Sequence, residues 1–167
     1  ISPSAIKLQQ LVQKWEAAEK TGVIPNIDDE EPHTVAVMLK QYFRDLPTPL
    51  LTVEFGDCFI IAGGVADDEA AIRSIKSAFG LLPLRNLKTI KTLMKMLQHT
   101  ASLSEFNKMV PANLAIVFAP SLFRSTATEV EVILAESKEA NKLAERFIKY
   151  ADEFFESNEW NELMKQK

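Results

Sequence analysis

Cations at helical spacing, and one amide in an apolar stretch, carry the chemistry open to this chain. Lys40 and Arg44 stand four residues apart, so on a helix they share one face. Val37 falls on that face too, an apolar residue beside two charges. Arg85, Lys88, Lys91 and Lys95 follow at similar spacing, and no acid occurs from Leu84 to Leu103. In a chain of formal net charge −4 this is a local positive field, suited to an acidic protein surface or a phosphate-bearing partner. Asn113 lies within "NKMVPANLAIVFAPSLF" and points, on a helical wheel, among Phe106, Val110, Leu114 and Val117. That side is expected to be buried, and a buried amide without partners costs a few kcal/mol. Asn113 would then hold backbone where Pro111 breaks the helix, point into a partner, or do both. Taken singly, each basic face also reads as an ordinary solvated helix surface.

Other chemistries lack their residues. His33, His99 and Cys58 show no metal-ligand spacing, and neither a G-x-S-x-G elbow nor a G-x-x-x-x-G-K-S phosphate loop occurs. The carboxylates from Asp28 to Glu31 suit a solvated loop and a helix N-terminus, where the macrodipole favours acids. With no self-contained active site in view, the chain is expected to act on a reaction by completing another protein's site.

The elements that must position these residues are helices. Val35, Met38, Leu39, Tyr42, Phe43 and Leu46 fall on one helical face over 33–46, stopped by Pro47 and Pro49. Residues 4–19 predict a helix with Ser4 as N-cap and Ile6, Leu8, Leu11, Val12 and Trp15 as its apolar side. Asp67 or Asp68 caps a helix through Ile72, Ile75 and Phe79. Asn86 caps another through Leu87, Ile90, Leu93, Met94 and Leu97. Residues 103–118 keep a helical period that Pro111 splits and Pro120 closes. One or two helices, divided at Ser137, run from Thr128 to Phe155, and a last turn uses Trp160, Leu163 and Met164. No strand pattern competes, so the fold class is all-α, a single-domain helical bundle.

Bulk properties agree. A chain of 167 residues with 47% hydrophobic and 25% charged residues can bury a core of several helices. The negative balance gives no general attraction to nucleic acid or an anionic membrane. One cysteine cannot form an internal disulfide and fits a reducing compartment. Opening at Ile1, without an initiator methionine, the chain reads as a piece of something longer.

Two long stretches carry a family resemblance. "VAVMLKQYFRDLPTPLLT" resembles the central RhoGAP motif, a helix with lysine and arginine four apart running into L-P-x-P-L. "LPLRNLKTIKTLMKMLQHTASLSEFNKMVPANLAIVFAPSLFR" resembles the family's second motif, with N-K-M, N-L-A and F-x-P in order. The resemblance covers about residues 1–156. It implies a helical RhoGAP-type domain over 1–167 that binds a Rho-, Rac- or Cdc42-type small GTPase and stimulates its GTP hydrolysis. Lys40 and Arg44 match two basic residues that face the GTPase and support the catalytic arginine loop. Asn113 matches an asparagine of the GTPase-facing groove, and Lys108 the lysine of N-K-M beside it. Val37, Lys88, Lys91 and Lys95 are further expected contacts. The opening "ISPSAIKLQQ" is similar to residues just after the family's catalytic arginine, with Pro3 where glycine is usual. That arginine is expected immediately before Ile1, so no catalytic residue is expected within the chain. Relatives lacking the arginine bind without activating, so a RhoGAP-like scaffold is the second expectation. The resemblance further implies a monomer in the cytoplasm, with any membrane recruitment through other domains and with no direct membrane insertion. It implies no cofactor or metal of its own, GTP and magnesium belonging to the partner.

Overall fold

A computed structural model describes the backbone of residues 3–167 and the side chains from Ala5 onward. The described residues form helices joined by short loops, with no strand among them. They divide into two compact units, residues 1–46 and 47–167.

The first unit is a helix pair, α1 (Pro3–Thr21) and α2 (Pro32–Asp45). Ser4 lies within the first turn of α1, and its expected capping by side chain lies outside the described residues. Gly22 ends α1 with φ 70°, a left-handed conformation that glycine takes without a Cβ penalty, and its N–H donates to Ala18 O at 2.7 Å. Pro32 sits at the start of α2, where its missing N–H would have had no helical acceptor. Lys7 pairs with Glu31 at 3.0 Å and Lys14 with Glu30, so residues just before α2 are held to α1. The apolar stripe expected on α2 is only partly covered. Phe43 is buried, Val35, Met38, Leu39 and Leu46 are half-buried, and Tyr42 is 61% exposed.

The second unit holds α3 (Gly56–Gly64), α4 (Asp68–Ala78), α5 (Leu84–Ser102), α6 (Ser104–Asn107), α7 (Pro111–Leu122), α8 (Val130–Lys149), α9 (Ala151–Phe155) and α10 (Asn158–Gln166). Its centre is aromatic. Phe79, in a short 3-10 turn after α4, has ring contacts with Phe59, Phe147, Phe154, Phe155 and Trp160. Asp67 caps α4, accepting from Ala70 N at 2.8 Å, as expected. α8 runs unbroken through Ser137, and the chain turns at Tyr150 instead. Pro120, expected to close the helix, lies inside the last turn of α7.

The segment before α3 is tied to the far end of this unit. Leu50 N and Leu51 N donate to Ser121 O and Leu122 O at 3.2 and 2.9 Å. Asn86 does not cap α5 but donates through Nδ2 to Leu50 O at 2.8 Å. The residues after Pro47 and Pro49 thus join both α5 and α7.

Candidate functional site

In the first unit, α2 carries Lys40, Arg44 and Val37. The Arg44 side chain is 69% exposed, with the carboxylate of neighbouring Asp45 at 3.6 Å. Lys40 and Val37 are half-buried. Arg44 therefore reaches solvent, as the helical wheel required, whereas Lys40 is no more open than Met38 and Leu39 of the apolar stripe, which are half-buried too.

In the second unit the site is built by the turn between α6 and α7. α6 ends in a single left-handed residue, Lys108, at φ 60°, whose N–H closes on Ser104 O at 2.9 Å. Lys108 Nζ folds back to Glu105 O at 2.8 Å. Pro111 then opens α7. On α7 the residues Leu114, Ala115, Phe118, Ala119 and Leu122 are buried, while Asn113, Ile116 and Pro120 face outward.

The expected burial of Asn113 is therefore corrected. It is exposed, with Nδ2 donating to Lys108 O at a long 3.4 Å. Phe106 and Val110, its expected core neighbours, are 85% and 42% exposed. The physical reason is register. A wheel drawn through residues 103–118 assumes one rotation, and the left-handed turn at Lys108 breaks it. The outcome is an exposed amide on a helix that is apolar nearly all round and exposes Ile116 as well.

Part of the row of lysines on α5 is engaged within the chain. Lys95 is bound by Asp152 and by Glu156 at 3.0 Å. These carboxylates, Asp152 first, raise the Lys95 ammonium above its ordinary pKa, and Lys95 in turn lowers that of Asp152. Lys91 donates to Phe155 O at 2.9 Å and lies 5.6 Å from the Trp160 ring centre. Both are spent on holding α9 and α10. Arg85 and Lys88 face outward. Nothing in the spacing of the lysines could have signalled these contacts, because the groups that make them lie more than fifty residues away in sequence.

Proteins of one family resemble this chain. The model of the RhoGAP domain matches residues 1–127. This chain belongs to the RhoGAP domain family. It is 34% identical over 158 residues to mouse Rho GTPase-activating protein 44, covering 93% of the chain and 19% of that protein. It is 38% identical over 117 residues to rat Rho GTPase-activating protein 7, covering 70% of the chain and 10% of that protein. The chain thus spans a fifth or less of these relatives. Among solved structures it is similar to human Rho GTPase activating protein 15, with TM-score 0.80 and 28% identity over 93% of this chain and 72% of the other. The BH domain of GRAF, the GTPase regulator associated with focal adhesion kinase, superposes with TM-score 0.79 and 28% identity, covering 90% and 79%. The RhoGAP match ends before α8, yet Leu143, Ala144, Phe147 and Ile148 of that helix are buried in the second unit.

Sequence reasoning passed over one residue of the RhoGAP turn. Asn107 Nδ2 donates to Thr100 O at 2.8 Å, and its Oδ1 accepts from Met109 N at 2.8 Å. The signal was available: an asparagine beside a residue that must turn left-handed. No helix of the described residues is long and apolar enough to cross a membrane.

Proposed function

We propose that this chain binds a Rho-family small GTPase and takes part in stimulating its GTP hydrolysis. The observation that carries the reading is the outward face of α7, where Asn113 and Ile116 stand in solvent and Val110, just before the helix, is exposed as well. Exposed apolar side chains together with a hydrogen-bonding amide are what a protein partner covers. Lys40, Arg44 and Val37 on α2 supply a second contact, and Lys108 and Lys88 supply charge for the acidic side of the partner. The family assignment names the class of partner.

Phosphoryl transfer to water builds negative charge on the transferring group, and an arginine donated in trans is worth about 10³–10⁵ in rate. We place that arginine upstream of Ile1. The residues described above then bind and orient the GTPase, and the partner keeps its own GTP and magnesium.

The test is a titration of a Rho-family GTPase loaded with a non-hydrolysable GTP analogue. Lys40→Ala, Arg44→Ala and Asn113→Ala should each weaken binding several-fold or more. Melting temperature should change little, because exposed side chains outside a core contribute within about 0.5 kcal/mol. Unchanged binding in all three would refute the site. In single-turnover hydrolysis, a longer form of the protein including the upstream arginine should accelerate by orders of magnitude over the same form with alanine there. Equal rates, with binding intact, would favour a scaffold that holds the GTPase without activating it.

A further inference from the structure

Thr52 and Lys108 are the non-glycine residues with positive φ among those described. The left-handed conformation is strained for a residue carrying a Cβ, so something must hold Lys108 there. Its own side chain cannot impose the conformation, since Nζ reaches only Glu105 O, within the same short helix. The neighbouring amide can. Asn107 grips the C-terminal end of α5 through Thr100 O on one side of the turn and the descending backbone at Met109 N on the other. A carbonyl must be met by the NH₂ and an N–H by the oxygen, so the orientation of this amide is fixed by its two partners. Lys108 O, placed by that grip, is the group to which the Asn113 side chain donates.

We propose that Asn107 is a positioning residue for GTPase binding: it clamps the left-handed turn at Lys108 and so aims Asn113 and the start of α7. The proposal rests on the reading of the preceding subsection. Aspartate cannot replace Asn107, because it accepts from Met109 N but presents a second acceptor to Thr100 O. Alanine loses both bonds.

The experiment uses the same GTPase titration with Asn107→Ala, Asn107→Asp, Asn113→Ala and the Asn107→Ala/Asn113→Ala pair. Each Asn107 variant should weaken binding about two- to ten-fold, the range set by losing ordinary hydrogen bonds. In the Asn107→Ala background, Asn113→Ala should add little further loss, since a misaimed amide has little left to give. Lys88→Ala, some twelve residues before Thr100 on α5, should remain additive with Asn107→Ala. A purely structural role would instead lower binding only in step with melting temperature. If Asn113→Ala weakens binding while Asn107→Ala does not, or if their losses simply add, the positioning role is wrong and the binding site stands. If neither Asn113→Ala nor Lys40→Ala has an effect, the site itself is wrong and the positioning role falls with it.

Discussion

At the scale of single residues, Asp68 shows how exposed groups can still report on folding. Its carboxylate accepts from Tyr150 Oη at 2.6 Å and from Arg146 Nε at 2.9 Å. Arg146 also donates to Gly63 O and Ala66 O, so one guanidinium ties α8 to the loop between α3 and α4. The Tyr150 hydroxyl, and next Arg146, hold the Asp68 carboxyl below its ordinary pKa. An acid whose folded pKa is depressed stabilises fully above its unfolded value, about 4. That contribution is lost as pH falls through the lower folded value. Melting temperature followed from pH 7 downward should therefore fall below about pH 4, and Asp68→Asn should remove part of that fall. Curves for the two proteins that stay parallel across the acid limb would show that this contact carries no linkage. Asp152, lowered by Lys95, adds to the same limb and should keep the variant from becoming pH-independent.

Among the helices, spacing decides where two backbones can meet. A Cβ built on Gly63 would lie 2.9 Å from Leu143 Cβ and 2.9 Å from its Cδ1. The Cβ atom cannot swing aside as a side-chain tip can, so α3 and α8 would have to separate. Gly63→Ala should destabilise the fold by about 1–3 kcal/mol, measured by denaturant unfolding, despite alanine's better helix propensity. A neutral or stabilising outcome would mean the helices slide freely at this crossing. A helix start was legible from sequence where a local side-chain bond decides it, as at Asp67. Asn86 was misread because a capping residue type, spaced correctly before an apolar run, was recruited by a distant carbonyl, Leu50 O.

For the second unit as a whole, the C-terminal helices lock the aromatic centre. Trp160 is buried, meets Phe155 edge-on at 5.0 Å, and lies against the Lys91 ammonium. Ser157 caps α10 by accepting from Trp160 N at 3.2 Å, and Lys76 pairs with Glu159 at 3.2 Å. Trp160→Ala should cost about 3–5 kcal/mol, as for other large aromatic truncations in a core, seen as an earlier denaturant midpoint. Retained stability would show that α10 merely rests on the unit.

The all-helical class, the prolines that end α2, the outward Arg44 and the family's two motifs were determined by the sequence itself. Each rests on residues within a few turns of one another, where periodicity, ring closure and capping act locally. Only the tertiary structure decided that Asn113 is exposed, that Lys95 is paired with acids and Lys91 bonded to Phe155 O, and that Asn107 bridges the turn. The first depends on one left-handed residue, Lys108, that resets the direction of every side chain after it. The other two depend on groups brought close by folding: Asp152, Glu156 and Trp160 for the lysines, and the last turn of α5 for Asn107. Helical periodicity fixes directions only within an unbroken helix, and charge spacing along one helix says nothing of the acids that pack against it.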